Sequence, residues 1–181
     1  MSIDPDVDFH ALRVRLRDGS EVTVRAVRAE DADKLQAAIR ALSPESRYSR
    51  FFSALRELPA QLLDRATHPE ATRELQLVAV TGFEAAEEII AGGRYAATAT
   101  DGDCEFGIAV VDEWHGRGLA RILLETLLRT ARARGFARME GYILATNAPM
   151  LGLAKSLGFA TIESPEGPAV RFVRRDLGTL A

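Results

Sequence analysis

Trp114-His115-Gly116-Arg117-Gly118-Leu119-Ala120 is the stretch of this chain with the clearest chemical meaning. Two glycines one residue apart let the backbone turn its N–H groups into one small space, and the apolar-periodic run from Leu119 sets the positive end of a helix dipole behind them. An anion fits such a nest, and a pyrophosphate is a natural ligand for it. Two better-known phosphate loops are excluded by residue type. No Lys-Ser or Lys-Thr pair follows the glycines, as a Walker loop requires, and Arg121 stands where a dinucleotide fingerprint needs a third small residue.

The reactive side chains nearby sort by type and spacing. Arg117 and Arg121 are one helical turn apart and could both reach phosphates; the ligand role is favoured for Arg117, while Arg121 is equally well a solvated charge. His115 has no second histidine or carboxylate at metal-ligand spacing, and His10 and His68 lie in distant segments, so no metal is expected. Cys104 is the only cysteine, which excludes an internal disulfide. In a regular strand it points to the face opposite Glu105, with no histidine paired to it in sequence, and it reads as packing rather than as a nucleophile. Asn147 precedes a helical run and reads as its N-cap.

The elements that must position these residues follow from periodicity. Leu12–Leu16 and Glu21–Val27 alternate apolar and polar residues around Asp18-Gly19, which predicts an opening β-hairpin. Two helices are expected across 30–53, divided at Ser43-Pro44-Glu45, and a short third over Pro59–Ala66. Leu75–Val80, Ile89–Thr98 and Glu105–Val111 read as a three-stranded meander. Leu119–Ala133 carries the strongest helical stripe, through Leu119, Ile122, Leu123, Leu127 and Ala131, and Gly135 ends it. Phe136–Ala145 reads as a strand, Ala148–Leu157 as a helix, and a strand pair follows around Pro165-Glu166-Gly167-Pro168. This order calls for an α+β fold of mixed α/β layers, a mixed sheet flanked by helices, with a tail over 1–10 and a single domain over 11–177.

Composition bounds the function classes. The chain has 181 residues, 47% hydrophobic and 27% charged, with a net charge of −3, which suits one globular domain and argues against a general affinity for nucleic acid or anionic membranes. The N-terminal residues lack the basic start and apolar run of a signal peptide, and no apolar run approaches the ~18 residues of a membrane span, so a cytoplasmic protein is expected.

With these residues in place, the chain resembles the GNAT superfamily of N-acyltransferases. Its acyl-CoA loop pattern, Gln/Arg-x-x-Gly-x-Gly/Ala, reads His115-Gly116-Arg117-Gly118-Leu119-Ala120 here, with histidine at the first position. A second family feature follows downstream, as Asn147, a helix and Leu157-Gly158-Phe159. Leu42-Ser43-Pro44-Glu45-Ser46-Arg47-Tyr48-Ser49-Arg50-Phe51-Phe52 and Asn147-Ala148-Pro149-Met150-Leu151 further resemble the catalytic domain of Pat-type protein lysine acetyltransferases. The resemblance spans roughly residues 20–175 and implies a GNAT-like, mostly antiparallel sheet.

It also implies acetyl-CoA as cosubstrate, held by His115, Gly116, Arg117, Gly118, Leu119, Ala120 and Arg121, with Asn147 reaching the cofactor arm and the pantetheine bonding backbone groups near Val110 and Val111. Glu105 corresponds to the family's strand glutamate that acts as general base, and its apolar neighbours Phe106 and Ile108 would raise its pKa usefully. Many relatives protonate the departing thiolate with a tyrosine where this chain has Ala154; Tyr142 on the neighbouring strand is the substitute considered. The implied reaction is acetyl transfer by direct attack of a primary amine, with protein lysine as acceptor. A small-molecule amine acceptor, or a non-catalytic acyl-CoA-binding module, is the alternative; a monomer or a dimer fits equally.

Overall fold

The turn chemistry of Asp18-Gly19 acts as expected: β1 (Leu12–Arg15) and β2 (Glu21–Ala26) pair antiparallel, with Gly19 at φ 88° and the Asp18 carboxylate accepting from the Ser20 amide at 3.0 Å. The chain, seen as a computed structural model, is described over residues 9–178, so the tail expected over 1–10 falls, through residue 8, outside the described residues. After the hairpin come α1 (Ala32–Ala41), α2 (Pro44–Phe51) and α3 (Ala60–Thr67). The Ser43 hydroxyl accepts from the Ser46 amide and Pro44 opens the first turn, which is why a new helix starts where the sequence predicts one.

The meander is β3 (Glu74–Thr81), β4 (Glu88–Ala97) and β5 (Asp103–Val110). It is followed by α4 (Leu119–Ala133), β6 (Arg138–Leu144), α5 (Ala148–Ser156), β7 (Ala160–Ile162) and β8 (Val170–Asp176). Together the strands form one eight-stranded sheet in the order β1-β2-β3-β4-β5-β6-β8-β7, antiparallel everywhere except between β5 and β6. The mixed, mostly antiparallel sheet with flanking helices is the fold read from the sequence.

Each face of the sheet has its own core. The α4 stripe packs Leu119, Leu123, Leu124 and Leu127 against Leu77, Tyr95, Cys104 and Met139, all at most 1% exposed. On the opposite face Leu35 and Ile39 of α1 cover Val78, Val80 and Ile89. Burying such side chains contributes about 1.5–3 kcal/mol each, so the amphipathic stripes fix which way each helix faces. No described helix is long and apolar enough to cross a membrane.

Candidate acyl-transfer site

The site begins where the sheet comes apart. Parallel pairing of β5 with β6 covers only Asp103↔Arg138, Cys104↔Met139 and Glu105↔Glu140, after which the strands diverge. Gly141 comes next on β6, and a Cβ there would stand 2.5 Å from the Phe106 ring, so the missing side chain admits that ring at the point of divergence. Phe106 rests in turn on Phe159, with ring centroids 5.2 Å apart. The opening widens into a cleft of about 1650 Å³ between the outer halves of β5 and β6, bounded by α2, α5 and the glycine loop.

The loop itself is braced from three sides. The Val111 amide donates to the Ile90 carbonyl at 2.9 Å, the Val111 carbonyl accepts from the Trp114 amide at 2.8 Å, and the Asp112 carboxylate accepts from the Ser43 amide at 2.8 Å and the Ser46 hydroxyl at 2.9 Å. Gly116 and Gly118 take φ of 74° and 98°; nothing lies within 4 Å of a Cβ at 116, and only the Arg17 side chain, at 3.9 Å, approaches one at 118. The amides of Gly116–Arg121 meet no acceptor among the described residues, as expected for a left-handed turn entering a helix. Glycine was therefore read correctly as the residue that opens this nest. Leu119 is 1% exposed and can offer only its backbone there, whereas Ala120 lines the cleft.

Several expected ligands are placed differently. Arg117 donates to Asp18 at 2.7 Å and to the Glu113 carbonyl at 2.7 Å, and its guanidinium stacks 4.5 Å from the Trp114 centroid. Its side chain fastens the loop to the opening hairpin and does not line the cleft, while its backbone amide remains in the nest. Arg17, on the same hairpin tip, lines the cleft in its place; two elements distant in sequence had to meet before that cation became visible. The Val111 amide and carbonyl each already have a partner within the chain. Since the Val111 amide points to β4, strand alternation turns the Val110 amide into the opening.

His115 Nε2 lies 2.8 Å from the Val110 carbonyl oxygen, an atom that only accepts, so the Nε2–H tautomer fits and the ring clamps loop to strand. Arg121 lines the cleft but bridges to α5, donating to Ser156 at 2.7 Å and Glu125 at 3.3 Å. Asn147 caps α5 by accepting from the Met150 amide at 3.2 Å, as its position before the helix predicts, and it also lines the cleft. Ala154 is fully buried and offers no proton.

Glu105 stands at the last position where β5 pairs with β6, on the cleft wall, reached by solvent on one side and walled by protein on the other. Burial of its carboxyl and the adjacent Glu140 raise its pKa, against the lowering influence of Arg50 and Arg94. Glu140 itself is held by Arg174, at 3.1 Å. Glu140 was not anticipated: only the β5–β6 register makes it a neighbour of Glu105. Tyr142 faces the same cleft from β6, and burial together with Glu105, Glu140 and Glu166 raises its pKa, so its hydroxyl keeps its proton. Cys104 is fully buried, its thiol 3.5 Å from the Arg138 carbonyl, and burial pushes its pKa well above the ordinary thiol range. That environment suits packing and not nucleophilic attack.

Comparison with known proteins gives this geometry a context. The model of the acetyltransferase (GNAT) family matches residues 36–159. The chain is 31% identical over 151 residues to acetyltransferase PA5475 of Pseudomonas aeruginosa, covering 83% of this chain and 81% of that protein. It is 30% identical over 107 residues to an L-methionine sulfoximine/L-methionine sulfone acetyltransferase of Pseudomonas paraeruginosa, covering 57% of this chain and 62% of that one. Among solved structures, the GNAT domain of S. lividans PAT superposes with a TM-score of 0.83 at 32% identity, over 92% of this chain and 96% of that domain.

Proposed function

The chain belongs to the acetyltransferase (GNAT) family, with acetyl-CoA as its acyl donor, and from that premise we propose that it acetylates a lysine side chain of a protein by direct attack. The observation that carries this reading is the position of Glu105: a carboxylate with a raised pKa at the divergence of β5 and β6, on one wall of a cleft that runs to the open amide nest at Gly116–Arg121.

Acetyl-CoA, when bound, supplies a thioester carbon to be attacked and a thiolate that leaves readily. The nest, helix α4 and Arg17 are suited to the pyrophosphate, and the Val110 amide to the arm between the diverged strands. A lysine entering beside α2 gives up its proton to Glu105, which matters because an amine with a reference pKa of ~10.4 is almost wholly protonated at neutral pH. The nitrogen lone pair then forms the C–N bond as the C–S bond breaks, and the nitrogen releases its second proton to solvent, so that one proton goes to sulfur and one is lost overall. Tyr142 is the side chain suited to return a proton to sulfur, in the place that Ala154 leaves empty.

Lysine as acceptor is supported by the 32% identity with the PAT domain across nearly the whole fold. A second reading, a small-molecule amine, is supported by the partial similarity to the methionine sulfone acetyltransferase. Two measurements separate these from a non-catalytic acyl-CoA binder. Glu105→Gln is expected to lower CoA release about 10²–10⁴-fold while calorimetry finds acetyl-CoA still bound. Incubation with acetyl-CoA and a cell extract, followed by mass spectrometry, is expected to reveal new acetyl-lysines. Acetylation of small amines alone would overturn the lysine acceptor, and absence of turnover with any amine would overturn the transferase.

A further inference from the structure

Beside Glu105 lies a second recess, of about 390 Å³, walled by Arg50, Arg94, Glu105, Gly107 and the small residues Ala96 and Ala99. Its two arginines come from different elements. Arg94 on β4 is the direct ladder partner of Gly107 on β5, and Arg50 reaches down from α2 over the same glycine. A Cβ at 107 would stand 2.7 Å from the Arg50 Cζ, so the strand has no side chain where the guanidinium rests.

Positive charge here exceeds what its surroundings neutralise. Arg50 forms no hydrogen bond and no ion pair with any described residue; its one close polar contact is the Phe51 ring, 5.0 Å from the centroid. Arg94 has only Glu74 at 3.8 Å, and the same Glu74 oxygen already accepts from Arg65 at 2.7 Å. Glu105 is near enough to be felt electrostatically but pairs with neither. Both guanidiniums are partly exposed, so their unpaired donors are open to an anion entering the recess, and planar guanidiniums from two elements over one glycine can hold it together.

We propose that this recess is an anion subsite of the acceptor: the molecule that presents its amine to Glu105 also presents a carboxylate within reach of Arg50 and Arg94, which hold that carboxylate. The subsite rests on the transferase reading and narrows its substrate class. Planar guanidiniums match a carboxylate through paired hydrogen bonds, which fixes both the distance and the orientation of the amine. The carboxylate can belong to a free amino acid or to an aspartate or glutamate adjoining the acceptor lysine in a protein.

The test measures kcat/KM by CoA release with matched pairs in two arms. One arm sets α-amino acids against their α-amides; the other sets capped Asp-Lys and Lys-Asp peptides against their Asn counterparts. The acidic member of one arm is expected to exceed its neutral partner about tenfold or more, the arm identifying the source, and Arg50→Gln or Arg94→Gln is expected to collapse that ratio toward one. Acetyl-CoA binding by calorimetry checks that each variant is folded, and Arg94→Gln carries the test should Arg50→Gln fail to fold. A wild-type ratio near one in both arms, or a ratio that survives both substitutions, overturns the subsite and leaves the transferase standing. No turnover of any member despite acetyl-CoA binding overturns both.

Discussion

Arg25 on β2 and Arg50 on α2 bring guanidiniums to the same face of the sheet, yet their surroundings differ in kind. Arg25 is 5% exposed and its two terminal nitrogens are engaged: they donate to both Asp31 oxygens at 2.7 and 2.9 Å and to Glu87 at 2.7 Å, leaving only Nε without an acceptor, while Lys34 also donates to Glu87 at 3.0 Å. The Arg50 guanidinium, lying over Gly107 near Glu105, has no such acceptors. In the first cluster every charge is answered within the chain, and the group locks β2 to the turn before α1 and to the start of β4. In the second the charges are left for something outside the chain to answer. A saturated ion network stabilises a fold; an unsaturated one beside a cleft is available to a substrate.

The largest effect should come from breaking the saturated group. Asp31→Ala leaves the buried Arg25 guanidinium with Glu87 as its sole carboxylate and is expected to cost about 2–4 kcal/mol in urea unfolding. A cost below about 1 kcal/mol would mean that the network is dispensable and the contrast mistaken.

Acid should attack the same group next. Burial alone would raise the Asp31 and Glu87 carboxyls, but hydrogen bonds from Arg25, with the Arg28 amide for Asp31 and Lys34 for Glu87, outweigh it and hold both below the ordinary range. Their folded pKa values therefore lie below the unfolded ones, so their contribution is complete above the usual carboxylate pKa of about 4 and is lost as pH falls through the folded values. Thermal unfolding should show a steep loss of stability beginning below about pH 4 that the Asp31→Ala variant lacks.

The unsaturated group should respond far less. Arg50→Gln removes a partly exposed cation that has no ion-pair partner among the described residues, so unfolding stability is expected to change by less than about 1 kcal/mol. A loss comparable with that of Asp31→Ala would show that Arg50 has a structural partner.

The smallest effect sharpens the picture around Glu105. Glu140→Gln removes the like charge across the β5–β6 pair and should lower the Glu105 pKa, whereas Arg50→Gln should raise it. Carbon-13 NMR titration of the Glu105 carboxyl reads both; shifts of the same sign would break the assignment of these two neighbours.

Most of the scaffold was legible before any coordinates. The Asp18-Gly19 hairpin, the Ser43 cap and the α4 stripe depend on residues within a few positions of one another, and each formed within about two residues of its expected bounds. The glycine nest was legible for the same reason, since φ and the absence of a Cβ are properties of the residue itself. Side-chain destinations were not. Arg117 was expected on phosphate because it lies in the loop, but the fold brings Asp18 to 2.7 Å from it, across 99 residues of sequence. Glu140 and Arg94 lie in strands with no local feature to single them out, and only register sets them beside Glu105 and Gly107.

By itself, then, the sequence determined the local conformations, the order of elements and the glycine turn that opens α4, because backbone preference and apolar periodicity are encoded over short spans. Only the tertiary structure decided which charges meet. Ion pairing depends on distances of a few ångströms between segments far apart in the chain, and those distances are set by strand register and helix packing; that is why Arg25 is enclosed by carboxylates and Arg50 is not.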